Sequence, residues 1–331
     1  MLDYSQFGQG LILEQLLTPG MPRFLVDVGA YDGLTGSNSR ALLEQNWQAV
    51  LVEPIPNLFS KLQANSSSLR GVSLVNAACS DRTGTANIRL GKDGTDTQMS
   101  SLSTHPLVEE TLGKEAVAVK TLTLRDLFSS ERVPDDFGVL LIDAEGWDFA
   151  VLSGLANTSA RPRIIVTEDF AGTDEAKYDL LRREQYRFIG RWGCDSFWVA
   201  KWHSVDTAHI RLPIERIPED WLPTGKRVGG LAKVDGVEYG CLYGWACIME
   251  SSNPAPEVIV SLKSENSPQR YLFRAFRSAR PDVAAHFSSS TLLSSGYRTP
   301  LDLPSGKYEV TIIQHREEHY SEEIGGVISS P

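Results

Sequence analysis

No stretch of this chain is apolar for the roughly 20 residues a helix needs to cross a bilayer, so no membrane span is expected. Basic residues are in deficit. Lys and Arg number 32 against 42 Asp and Glu, leaving a formal net charge of −10. A surface of that sign repels phosphate backbones and anionic headgroups, so no nucleic-acid partner is expected. Cysteine is scarce, and Cys79, Cys194, Cys241 and Cys247 form no C-x-x-C pair. That argues against a structural zinc site and for reduced, mostly buried thiols. The opening MLDYSQFGQG lacks the basic start and apolar run of a signal peptide. With reduced thiols, this sets the expectation of a cytoplasmic protein. Internal repeats and low-complexity runs are missing too.

What is present is enough apolar material for two cores. The chain has 331 residues, 41% of them hydrophobic, more than one ordinary domain needs. Residues 5–17 carry apolar residues at helical spacing and stop at Pro19 and Gly20. FLVDV (24–28), AVLVE (49–53), VSLVN (72–76), VLLID (139–143) and IIVTE (164–168) are apolar runs of the kind buried parallel strands show. Helix-like segments lie between several of them, SNSRALLEQN and 57–65 among these, so the expected fold is a doubly wound, Rossmann-like α/β sheet. TANIRLG (85–91) and AVAVKTLTL (116–124) alternate like strands around a glycine- and serine-rich loop. YRFIGRWG (186–193) and DSFWVAK (195–201) predict an antiparallel hairpin at the sheet edge. Prolines and weak periodicity mark 206–228 as a linker, and short alternating stretches from 229 to 331 predict a small all-β domain, a β-sandwich. The first domain is expected to run from 1 to 205.

The segment Asp27 to Gly33, DVGAYDG, ends a strand in an acid and turns through glycines toward a predicted helix. Glycine permits positive φ or close backbone approach, and a helix N-terminus offers free N–H groups. Counting from Gly29, Tyr31 and Leu34 occupy two of the glycine positions of G-x-G-x-x-G, which speaks against NAD and an oxidoreductase. No Gly-Lys-Ser/Thr follows, which speaks against a phosphate-binding P-loop. Glu53 closes the second strand, where a carboxylate can accept both hydroxyls of an adenosine ribose. Asp143 and Glu145 stand two apart, so in extended backbone they point to one side. Three uses are open to them: a general base, oxygen ligands for magnesium or manganese, or a cap on the following helix. No residue is assigned as a metal ligand on spacing alone. Glu168 and Asp169 end the next strand and are expected to face the same crevice. His105 sits in the loop-like insert and is a weaker candidate base.

Taken together, SQFGQGLIL, VDVGAYDG, LVEPIPN, VNAACSDRTGTA, MSSL (99–102), VKTLTLRDLF, LLIDAEGWDFAVLSGL and IIVTE resemble the FkbM-type S-adenosylmethionine methyltransferases across roughly residues 5–201. Asp32 departs from that pattern, where many members carry a different polar residue. The resemblance implies a methyltransferase with S-adenosyl-L-methionine as cofactor. It places Asp27, Gly29, Ala30 and Gly33 at the methionine end, with Glu53 and Pro54 at the ribose. Asn76, Ala77 and Ala78 border the adenine, and Asp143 touches the cofactor side of the crevice. Asp143, Glu145 and Glu168 are then the catalytic candidates, acting on an acceptor oxygen. More weakly, Gly244–Ala246, Arg280–Val283 and Gly296–Tyr297 resemble a β-sandwich accessory domain of bacterial glycan-modifying enzymes. That makes a sugar hydroxyl the expected acceptor, with Trp245 and Tyr297 read first as core aromatics and only second as a sugar platform. A non-catalytic carbohydrate-binding protein on a degenerate methyltransferase fold is the rival, and the intact Asp27, Gly29 and Glu53 weigh against it.

Overall fold

The computed structural model describes residues 2–92, 100–102, 110–169, 175–208, 210–211, 214–238, 240–248, 257–316 and 318–330. The chain divides into two compact units, one of residues 13–210 and one of residues 1–12 with 211–331. Among the described residues no helix is long and apolar enough to cross a membrane.

The 13–210 unit is built on a seven-stranded sheet. Helix α1 (Gln9–Leu16) precedes β1 (Phe24–Val28), α2 (Arg40–Leu43), β2 (Gln48–Val52), α3 (Pro56–Ser66) and β3 (Val72–Val75). Then come β4 (Ala78–Cys79), β5 (Gly84–Gly91), β6 (Leu112–Leu122) and α4 (Leu124–Ser130). The unit continues with β7 (Asp136–Ile142), α5 (Asp148–Ser153), β8 (Arg161–Glu168), α6 (Glu175–Arg183), β9 (Tyr186–Trp192) and β10 (Asp195–Ala200). The strand order is β3-β2-β1-β7-β8-β10-β9. The first five strands of that order run parallel. The hairpin of β9 and β10 closes the edge, β10 lying antiparallel to β8. This is the doubly wound sheet that the apolar runs predict, with the predicted edge hairpin. Strands buried on both faces must be apolar at nearly every position, and β7 meets that demand with Phe137, Val139, Leu140, Leu141 and Ile142 all buried. Phe137 packs edge-on against Phe128 of α4, ring centres 5.5 Å apart. The oxygen of Thr123 caps α4 by accepting the Asp126 amide at 3.1 Å, a contact worth about 1 kcal/mol.

The chain leaves β1 toward β2 and β3 on one side. It returns through the small β4-β6-β5 sheet to β7 on the other side of β1. The reversal of strand order therefore falls between β1 and β7, where open α/β sheets carry their ligand crevice.

The segment after β1 departs from expectation. The helix predicted over SNSRALLEQN is only four residues long. Residues 31–39 form turns instead, because Asp32 holds them: its carboxylate accepts the amides of Leu34 at 2.9 Å and Thr35 at 2.7 Å. Asn46, at φ 61°, breaks the chain direction before β2.

The second unit carries β11 (Glu215–Ile217), β12 (Lys226–Arg227), β13 (Gly230–Glu238), β14 (Cys241–Ile248), β15 (Glu257–Ser264) and β16 (Arg270–Ser278). Helix α7 (Pro281–His286), β17 (Gly296–Pro300), β18 (Gly306–Arg316) and β19 (His319–Ser330) follow. These strands form one hydrogen-bonded path, β12-β19-β18-β15-β16-β17-β14-β13, with β11 beside β16. The region is all-β apart from short helical turns. Val258, Val260 and Leu262 of β15 enter one core, while Ile259 joins Ile217, Leu272 and Ile313 on the opposite face.

Two boundaries differ from the sequence reading. The segment read as a linker contributes β11 and β12, because Ile217 is buried against Ile259 and Leu272. Residues 1–12, read as the start of the first domain, group with 211–331. Asp3 forms a bridge to Ser278, and its carbonyl oxygen accepts the Ala279 amide at 2.7 Å. Tyr297 is fully buried with its hydroxyl donating to the Lys233 carbonyl at 3.1 Å. Trp245 packs beside Cys247, Val283 and Leu292 and stands edge-on to Phe287. Both are packing aromatics, as the first of their two sequence readings has it.

Candidate active site

The carboxyl ends of β1, β2, β3, β7 and β8 meet at one edge of the sheet, where the register aligns Val28 with both Val52 and Ile142. Asp27, Glu53, Asn76, Asp143 and Glu168 all stand at or just beyond those ends.

Gly29 follows β1 with φ +88°. Its amide and that of Ala30 both donate to the Val52 carbonyl at 3.0 Å. A Cβ at Gly29 would lie 1.8 Å from the Asp143 carbonyl oxygen, so this approach of β1 to β7 is open only to glycine. The glycine thus serves strand against strand. Gly33, at φ +71°, ends the turn with its amide on the Ala30 carbonyl at 2.8 Å. The helix N-terminus expected behind this turn is absent, since residues 34–39 form no helix and Asp32 takes the first free amides.

Glu53 is 4% exposed. Its carboxylate accepts the Tyr31 amide at 3.1 Å and the Ile55 amide at 2.8 Å. Burial outweighs those two bonds, and Asp27 and Asp32 add repulsion, so its pKa is raised to about 8. Burial also raises Asp27 to about 6, against a hydrogen bond from Ser39. Asn76 spends its side-chain amide on the loop after β2, donating to the carbonyls of Glu53 at 2.8 Å and Pro54 at 3.0 Å. Ala77 and Ala78 are buried beside it.

On the other side of the crevice the structure gathers Asp143, Glu145 and Glu168, one carboxylate oxygen of each lying within 4.8 Å of the others. The reason is not the extended spacing expected. Strand β7 ends at Ile142, and Glu145 and Gly146 adopt φ of +50° and +81°. A left-handed turn brings Glu145 round to Glu168. Ser101 steadies that turn, its hydroxyl donating to the Glu145 carbonyl at 2.6 Å. The cap reading of Glu145 falls away, because α5 begins after Trp147 with no side-chain cap. Asp143 is open to solvent, whereas Glu145 and Glu168 are buried.

Further charged groups that no sequence spacing marks complete the cluster. Asp148 accepts the Thr167 hydroxyl at 2.8 Å, and Asp195 at the start of β10 accepts the Asn38 amide at 3.0 Å. Asp195 arrives because β10 runs antiparallel, which puts its first residue opposite Glu168. Lys177 of α6, itself buried, donates to the Glu168 carbonyl oxygen. Although part of Asp143 reaches solvent, the protein packed around its carboxyl group desolvates it and raises it above the usual carboxylate range, and the charges of Glu145, Asp195, Asp148 and Asp27 raise it further. Burial followed by Asp143, Glu145, Asp148 and Asp195 does the same to Glu168. Glu145 is pushed to about 8 by burial and by Asp148.

Asp169 is not part of this group. Its carboxylate faces away to Arg191, 3.3 Å distant, and to the Tyr178 hydroxyl. His105 lies outside the described residues, as does Met99 of the MSSL segment. His203 is buried with its Nε2 at 3.1 Å from the Leu16 carbonyl oxygen.

Residues 27–189 match the family model described as the methyltransferase FkbM domain. The chain carries an FkbM methyltransferase domain. The matched span opens on Asp27 and takes in Gly29, Glu53, Asp143, Glu145 and Glu168. No curated protein matches the chain. Among solved structures, precorrin-6y C5,15-methyltransferase from Geobacter metallireducens GS-15 is 12% identical over 80% of this chain and 86% of that one. Its TM-score is 0.31, too low to carry any argument about this site.

Proposed function

We propose that the FkbM domain is an S-adenosylmethionine-dependent O-methyltransferase whose acceptor is a hydroxyl of a carbohydrate. The observation that supports this reading is the grouping of acids at the strand ends beside the reversal of strand order. Asp27 and Glu53 stand at the ends of β1 and β2, and Asp143, Glu145 and Glu168 gather beyond β7 and at the end of β8.

The first group suits the cofactor. Each oxygen of Glu53 accepts one amide, and a carboxylate oxygen has a second lone pair to offer a ribose hydroxyl. Asp27, Ala30, Gly33 and Pro54 surround the same turn, and Asn76 and Ala77 border it at the end of β3. A crevice this rich in carboxylates favours a ligand bearing a sulfonium and an ammonium group. When bound, the cofactor supplies an electrophilic methyl group and leaves as a thioether.

The second group serves the acceptor. Asp143 is the member open to solvent and so the first to meet an incoming hydroxyl. The acids orient that hydroxyl, and an ionised carboxylate among them takes its proton as the new oxygen–carbon bond forms and the carbon–sulfur bond breaks. Alignment of this kind is worth roughly 7–11 kcal/mol in the best cases, and proton removal adds about 10²–10⁴-fold. The carbohydrate class rests on the likeness of the C-terminal segments to accessory domains of glycan-modifying enzymes, an argument by association.

The deciding experiment is a transfer assay with methyl-labelled cofactor against nucleotide sugars and fractionated cell glycans. Label recovered in a base-stable ether of a sugar is the expected result. Label on nitrogen or carbon, or none transferred by protein that binds the cofactor, removes the O-directed reading.

A further inference from the structure

We propose that Asp143, Glu145 and Glu168 form a binding site for one hard divalent cation of the magnesium and manganese kind. The three carboxylates come from two different strand ends and offer oxygens within 4.8 Å of one another. A cation held at about 2.1 Å from each oxygen needs them no more than about 4.2 Å apart. The three oxygens would therefore have to draw together by at most about 0.6 Å on binding.

Unmet bonding capacity is the second observation. Glu145 is 9% exposed and Glu168 8%, and the Oε2 atom of each is buried with no hydrogen-bond partner. Asp148, 3% exposed, leaves its Oδ2 in the same condition alongside. Buried carboxylates without partners must take up protons or a cation. Lys177 does not settle the balance, because it opposes Asp148 while its ammonium is engaged by the Glu168 carbonyl oxygen. Asp143, Glu145, Asp148 and Asp195 all add negative charge around Glu168.

The donors are oxygens alone, which selects hard cations over zinc or copper. Both buried ligands are held in place from behind, Glu145 through the Ser101 bond to its carbonyl and Glu168 through Lys177. Asp143 faces the solvent side, where water or an acceptor oxygen can fill the remaining positions, as magnesium prefers. On the methyltransferase reading, on which this role rests, a cation here draws the acceptor hydroxyl to itself and lowers its pKa, and the proton passes to water.

The test uses the full chain freed of metal by chelation and titrated with manganese. Free manganese is read by electron paramagnetic resonance and magnesium serves as competitor. One manganese per chain, displaced by magnesium and accompanied by a rise in melting temperature, is expected. Glu168→Gln and Glu145→Gln should each weaken binding by at least about tenfold, the loss that follows removal of even an indirect partner of a ligand. Without metal, both variants should melt close to the parent, since each exchanges a buried, partly unpartnered carboxyl for an amide of nearly the same size. Asp143→Asn, at the exposed position, gives the same reading if a buried variant fails to fold, and Asp179→Asn on the far side of α6 should bind as the parent does. No manganese binding at millimolar concentration, or binding unchanged in all three site variants, overturns the site. Cofactor titrated into the same chelated sample separates the two readings. Cofactor binding without manganese binding sinks the cation site alone and leaves the transferase reading standing.

Discussion

Glu53 joins two loops before any ligand arrives, since its oxygens take one amide from the turn after β1 and one from the start of α3. On the proposed function it also holds the ribose. Glu53→Ala should then weaken cofactor binding by roughly one to two powers of ten, because a buried ribose hydroxyl is left without its partner. Calorimetry on folded protein reads this directly, and unchanged affinity would take Glu53 out of the cofactor site. The same residue makes a forecast about pH. Its pKa rises from 4.5 to about 8 on folding, so the folded chain holds this proton more tightly than the unfolded one. Stability from this group is greatest at acid pH and declines as pH climbs through that window. Glu53→Gln cannot lose the proton, so the variant should gain stability over the parent at pH 8 and gain none at pH 4, measured by denaturant unfolding. Little of this was visible beforehand. The sequence places an acid at a strand end, but neither its two backbone amides nor its burial can be read from VLVEP. Asp195, Asp148 and Lys177 are harder still, since only the folded topology carries them to the Asp143 corner.

At the scale of elements, the decisive contact joins the ends of β1 and β7. Gly29→Ala drives a methyl group into the Asp143 carbonyl, backbone against backbone, and no rotamer change relieves it. The strands must part at the edge that forms the crevice. A loss of more than about 4 kcal/mol, or insolubility, is expected. Gly20→Ala is the matched comparison. Gly20 has φ +78° with nothing within 4 Å of a Cβ, so it should lose only the left-handed backbone cost of about 1–2 kcal/mol. Equal melting temperatures for the two variants would show that the close approach is not needed. The parallel strands themselves were legible because both-face burial forces unbroken apolar runs, and FLVDV and VLLID have little else to be. The short α2 was not, because Asp32 redirects the amides of residues 34 and 35 through a contact that periodicity cannot register. Asp143 and Glu145 do stand close together, but not for the reason their spacing suggests. Spacing suggested a shared strand face, whereas a left-handed turn at Glu145 does the work.

For the whole molecule, the division into 13–210 and 1–12 with 211–331 sets the last forecast. The 13–210 unit holds both groups of acids and is proposed to keep its cofactor affinity alone. A fragment of residues 9–210, which leaves α1 intact, should fold cooperatively and bind cofactor as the full chain does. An insoluble or cofactor-blind fragment would show that the remaining residues complete the site. The β-rich unit also imposes a wait during synthesis. Asp3 bonds to Arg277 and Ala279, some 275 residues further on. At about 5–20 residues per second, the ribosome needs roughly a quarter to a full minute to make that partner. Throughout that time the seven-stranded sheet can form while Asp3 and its neighbours stay unpaired. Docking of the segment around Asp3 therefore reports completed translation of β16, and a nascent chain stalled before Ser278 should keep residues 3–5 open to protease.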